Sequence, residues 1–173
     1  MTHDEHCECG CSCGHDHAHQ TDAHSGPVEV TENQKEFLHQ LSHYHYLPVA
    51  RFTVTDSRED DFASTALAPV FLRSATDDLN TVKEAGSFLQ KLEDLGLITL
   101  DYDMPLKGYG YEEYKTSEVY EYFRATVKEG AAKPNFLGDT PELELGSIAL
   151  TEEGEQIALA HCGHDHQEHE QED

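Results

Sequence analysis

The sequence predicts a mainly helical domain with a small β component, an α+β fold, and three observations predict it. Val82, Ala85, Phe88, Leu89, Leu92 and Leu95 recur at steps of three and four residues, the period of a helix with one buried stripe. After Gly96 the period changes: Ile98, Leu100 and Tyr102 alternate with Thr99 and Asp101, as in a strand with one buried face. Far downstream, Ser147-Ile148-Ala149-Leu150 reads as a second short strand, and Thr151-Glu152-Glu153-Gly154 opens a helix that runs through Ala160. The order is helix, strand, excursion, strand, helix.

Taken in order, residues 1–26 have almost no aliphatic content and end at Gly26-Pro27, so this segment cannot bury enough apolar surface to fold alone. It is expected to be disordered unless a metal orders it. The folded part, 27–160, starts with a capping box at Thr31 and Gln34, ahead of Phe37, Leu38 and Leu41 on one helical face. Leu47 to Val54 is extended in character and interrupted by Pro48. Arg58 to Ser74 is expected to hold a helix, through Phe62, Ala63, Ala66, Leu67 and Val70, bent or ended by Pro69. The main helix begins at Thr81, which makes a capping box with Glu84, and stops at Gly96 in a left-handed conformation. A structureless excursion of about forty residues is improbable inside a compact domain. Val119, Tyr122, Phe123 and Val127 accordingly keep helical spacing after Thr116 and Ser117, with Gly130 as the stop. Six of the eight tyrosines lie at 102–122, and such amphipathic rings serve interfaces as readily as cores. Residues 161–173 form a second polar tail.

The phrases KLEDLGLITL (91–100) and SIALTEEGEQIAL (147–159) resemble the winged-helix transcription regulators, such as the MarR, PadR and ArsR families. In those families the first phrase is the end of the recognition helix running into the wing, and the second is the returning wing strand with the cap of the next helix. The resemblance implies a winged helix-turn-helix with an enlarged, partly helical wing insertion at about 103–146. It also makes Arg58–Ser74 the helix before the recognition helix, and it implies transcription regulation.

The charge balance pulls the other way. With 35 acidic against 11 basic residues the formal charge is −24. Each tail holds five acids, so residues 27–160 keep 25 acids with all 11 bases. Such a surface repels phosphate backbones and anionic membranes unless a local patch reverses the sign. On the main helix only Lys83 and Lys91 are basic, with Ser87 and Gln90 beside them as further contacts for DNA or a protein partner. Lys107, Tyr109 and Tyr111 are the corresponding contacts in the excursion. Specific DNA binding draws much of its affinity from several Lys or Arg contacts to phosphate, and this helix offers few. A homodimer is expected, and it would juxtapose the basic residues of two copies. No apolar run approaches the roughly twenty residues of a membrane helix, and the first thirty residues lack a signal-peptide core, so the expected location is cytoplasmic with no membrane partner.

The strongest chemical signal is the amino-terminal array. Cys7, Cys9, Cys11 and Cys13 alternate along a short polar segment, a poor disulfide framework but a good ligand set. His3 and His6 precede them, and His15, His17, His19 and His24 follow. Thiolates and imidazoles together suit zinc or nickel foremost, and also copper or cobalt. The spacing is not that of two Cys-x-x-Cys knuckles, so exchangeable binding is expected rather than a permanent staple. The other terminus repeats the theme. Cys13-Gly14-His15-Asp16-His17 recurs as Cys162-Gly163-His164-Asp165-His166, flanked by His161 and His169. A secondary metal set is His39, His43 and His45: the first two stand four apart and share a helical face, with His45 or a tail donor to complete the set, although water-facing histidines would show the same spacing.

No Walker loop, Rossmann fingerprint, His-Glu-x-x-His or nucleophile elbow occurs, and catalysis is not expected. The expected function is a metal-responsive regulator controlled by transition-metal binding at its termini. The alternative is a cytoplasmic metal buffer or metallochaperone that docks a protein partner without binding DNA.

Overall fold

A computed structural model describes residues 28–163. The elements run α1 (Glu32–Tyr44), β1 (Tyr46–Asp56), β2 (Glu59–Val70), α2 (Leu79–Asp94), β3 (Ile98–Asp101), α3 (Glu112–Lys115), α4 (Glu118–Ala131), β4 (Thr140–Leu150) and α5 (Glu152–Cys162). The architecture is α+β. Four strands form one sheet in the order β2-β1-β4-β3, with every neighbouring pair antiparallel.

The sheet is covered on both faces, and β1 shows why its sequence does not alternate cleanly. Leu47 and Val49 share one face with Ile148 and Leu100 and meet Leu38 and Leu41 of α1, Leu89 and Leu92 of α2, and Ala158 of α5. Ala50 and Phe52 take the opposite face with Leu143 and Leu145, against Tyr114, Val119 and Phe123. Phe123 stacks on Phe52 with ring centroids 5.2 Å apart. Pro48 is tolerated because pairing with β2 begins only at Ala50.

Several local expectations hold. Thr31 and Gln34 make a reciprocal capping box at α1. Gly96 ends α2 at φ +72, its N–H bonded to the Glu93 carbonyl while the Leu97 N–H reaches that of Leu92, a Schellman closure that turns the chain straight into β3. Thr151 caps α5 through the Gly154 N–H at 3.1 Å.

Others are corrected. Residues 58–74 are not helical: β2 occupies Glu59–Val70 within them. Most of β2 is exposed on both faces, so no period-two burial pattern marks it, while Ala63, Ala66 and Ala68 carry helix propensity that tertiary pairing overrides. The turn into it uses two carboxylates in place of glycine. Asp56 accepts the Arg58 N–H at 2.8 Å and its guanidinium, and Asp139 accepts the Ser57 N–H at 2.9 Å and its hydroxyl. The cap of α2 is Asp78, which accepts from Thr81 N–H at 2.7 Å, rather than Thr81 itself. Gly130 lies inside α4, buried against Phe136, and the helix ends one residue later. The second strand extends back from Ser147 to Thr140, and α5 runs two residues past Ala160.

The excursion between β3 and β4 is fastened by two buried tyrosines. Tyr111 donates to the Gly146 carbonyl at 2.7 Å and accepts from Leu106 N–H at 2.7 Å. Tyr114 donates to the Pro48 carbonyl at 3.0 Å and accepts from Leu72 N–H at 3.3 Å. Burial raises the Tyr114 hydroxyl above the ordinary tyrosine pKa, so the proton it donates is retained. Tyr111→Phe removes the partner of the buried Gly146 carbonyl and of the half-buried Leu106 N–H at once and should lower stability by about 1–3 kcal/mol in urea unfolding. Tyr109→Phe, on an exposed ring, should stay within about 0.5 kcal/mol of wild type.

Candidate metal centre

Helix α1 buries Leu38 and Leu41 completely, which turns His39 and His43 toward its opposite, solvent-facing edge. The two histidines stand one turn apart with T-shaped rings, centroids 4.6 Å apart and Nε2 atoms 3.2 Å apart. Against this helix lies α5, whose buried Ala158 is small enough for the two backbones to approach. One turn further, Cys162 brings its Sγ to 2.9 Å from His39 Nδ1, across 123 residues of sequence. The same sulfur lies 3.5 Å from the Ala158 carbonyl, to which the thiol can donate.

Two further groups flank this cluster. The His161 ring is 5.8 Å from that of His39, and its Nε2 lies 3.6 Å from a carboxylate oxygen of Glu36. A hydrogen bond from Gln40, and then the nearby His39 and His161 rings, hold the Glu36 carboxyl below its ordinary pKa. His43, Glu36 and Cys162 are exposed, so the cluster opens to solvent.

The structure therefore brings His39 and His43 of the secondary set beside His161 and Cys162 of the second tail, the side from which a tail donor was expected. His45 does not join them. It caps α1 at φ +65 and lines a different depression with Tyr46, Glu155 and Leu159. Among the described residues, no three His, Cys, Asp or Glu side chains converge on one point for an ion. The geometry explains this, because the two nitrogens of His39 face opposite partners. His3, His6, Cys7, Cys9, Cys11, Cys13, His15, His17, His19, His24, His164, His166 and His169 lie outside the described residues.

On α2, Lys83, Ser87, Gln90 and Lys91 are all exposed, as a contact face requires. Gln90 is held by acids, however, its amide donating to Glu93 at 2.9 Å and Asp94 at 3.2 Å. Lys107 and Tyr109 are exposed, whereas Tyr111 is core and is withdrawn as a contact residue. Lys35, Arg51, Arg58, Lys115 and Arg124 pair with Glu32, Glu144, Asp56, Glu112 and Glu121, so five of the eleven basic residues are already opposed within the chain.

No family model, curated protein or solved structure matches this chain. Among the described residues no helix is long and apolar enough to cross a membrane.

Glu36 and the His39–Cys162 contact were not read from sequence. The available signal was that histidines sit on the polar edges of both the first and the last helix, but nothing local says that those edges meet. Ala158→Leu should force α1 and α5 apart and lower stability by about 1–3 kcal/mol in urea unfolding. Lys83→Ala with Lys91→Ala should change it by less than about 0.5 kcal/mol, leaving those positions free for binding assays.

Proposed function

We propose that this chain is a metal-responsive regulatory protein, in which Cys/His-rich termini take up a transition ion of the zinc or nickel kind and the folded domain presents the loaded state to a partner. The observation that supports it is Cys162, the first residue of the second Cys-Gly-His-Asp-His, standing in the last turn of α5 at 2.9 Å from His39. A terminus tied to a packed helix pair can pass the difference between metal-free and metal-bound states to the fold, whereas a tail without contacts can only sequester. The soft and borderline donors at both ends suit such an ion.

Two partners divide this proposal. The α2–β3 and β4–α5 junctions support a winged-helix regulator that binds DNA. The strand at 59–70, where a helix-turn-helix has its first helix, and the acid-flanked Lys83 and Lys91 favour the metal buffer or metallochaperone that docks a protein. The second partner has the better support, because counterion release from DNA needs several unopposed cations.

Zinc and nickel titration of the full chain and of a form lacking residues 1–26, followed by a DNA shift assay at low salt on the region upstream of its own coding sequence, tests this. The full chain should bind several equivalents and the truncated form fewer. Tight metal binding with no DNA shift selects the buffer or chaperone, metal-dependent retention selects the DNA regulator, and failure of the full chain to bind either metal contradicts both.

A further inference from the structure

We infer that His39 and His43 form a two-imidazole clamp for a divalent transition ion on the open edge of α1, and that Cys162 acts on the clamp as a positioning residue, not as a ligand. The inference deepens the metal-handling function proposed above and rests on it.

An ion bound tetrahedrally at Zn–N distances of about 2.0–2.1 Å holds its nitrogen ligands roughly 3.3 Å apart. The Nε2 atoms of His39 and His43 already stand at 3.2 Å, so the nitrogen spacing needs little change, while the rings, with centroids 4.6 Å apart, turn to aim both lone pairs at the ion. The i, i+4 placement on one helix makes that spacing reproducible, since both side chains leave the same face. Without metal, a single proton fills the gap as an N–H···N bond. Metal binding requires His43 to carry its proton on Nδ1 instead, which leaves both Nε2 lone pairs on the ion.

Cys162 sets the other half of the geometry. A ligating histidine usually gives its second ring N–H to an acceptor, which selects the tautomer and fixes the ring plane. In the clamp the hydrogen of His39 resides on Nδ1, facing the Cys162 sulfur at 2.9 Å, which leaves the Nε2 lone pair for the ion. The sulfur lies beyond Nδ1, on the far side of the imidazole from His43. An ion held by both Nε2 atoms therefore cannot also touch Sγ unless the His39 ring turns over. Two ligands leave the remaining positions to water or to an incoming donor, which suits exchange better than storage. His45, one residue beyond the helix and lining a different depression, has no part in the clamp.

Long-range 1H–15N spectra of the histidine rings, recorded while Zn2+ is added to the full chain until the tail signals stop moving, test the clamp. The Nε2 resonances of His39 and His43 should shift together, and His43→Ala should abolish the His39 shift while His45→Ala leaves it intact. Cys162→Ala should weaken binding at the clamp by about 10–100-fold and alter the His39 tautomer signature in the metal-free chain, and Cys162→Ser, which keeps an acceptor, should restore most of both. No change in Cys162→Ala overturns the positioning role. A thiolate-to-cobalt charge-transfer band in the full chain carrying Cys7→Ser, Cys9→Ser, Cys11→Ser and Cys13→Ser would make Cys162 a ligand and overturn it equally. If other histidines respond to zinc while His39 and His43 do not, the clamp is overturned and metal handling stands; if no histidine responds, both fall.

Discussion

Ten consecutive residue pairs, from Tyr46 opposite Ala149 to Thr55 opposite Thr140, join β1 to β4. Tyr46 is two residues past the end of α1, and Ala149 is three residues before the start of α5. Antiparallel pairing in this register makes the first helix enter and the last helix leave at the same end of the sheet. The side-by-side packing of α1 and α5 follows, and with it the meeting of His39 and Cys162. A shift of one residue would send Leu47 and Val49 to the other face and separate the two helices from their shared core. The candidate centre is thus a consequence of the central strand pair more than of either helix.

The excursion serves the same pairing from the opposite face. Tyr111 and Tyr114 anchor on the carbonyls of Gly146 and Pro48, one in each central strand. Phe52, Tyr120 and Phe123 cluster over that face, with Tyr120 and Phe52 centroids 5.3 Å apart. Acids dominate the surface without penetrating either core cluster, whose buried members are apolar or tyrosine. Charge repulsion therefore bears on partners more than on the packing of this unit.

What was legible in the sequence was local. The Thr31 box, the Gly96 stop, the alternation after it and the Thr151 cap each depend on residues within one or two turns, and each stands where expected. Residues 58–74 misled because β2 is exposed on both faces and alanine-rich, so neither burial nor propensity marked it as a strand. Tyr111 misled because a phenol in a polar, glycine-flanked stretch has the composition of a surface contact, although its hydroxyl finds two backbone partners, one of them buried. That His39, His43, His161 and Cys162 are imidazole and thiol side chains was visible, but their assembly depends on a pairing that no local pattern encodes. The exclusion of His45 depends on the positive φ that ends α1.

Metal handling in this account is tied to the fold at one place, the edge where α1 and α5 meet. In the proposed function, histidines and thiols at both termini would supply capacity, and the packed helices a fixed point from which occupancy is communicated. Amide hydrogen exchange along the full chain, with and without saturating Zn2+, tests that tie most directly. The account predicts slower exchange in the last turns of α1 and α5 when zinc is bound, with β2 and α4 unchanged. Protection confined to residues outside 28–163, with the ends of α1 and α5 exchanging as before, would contradict it.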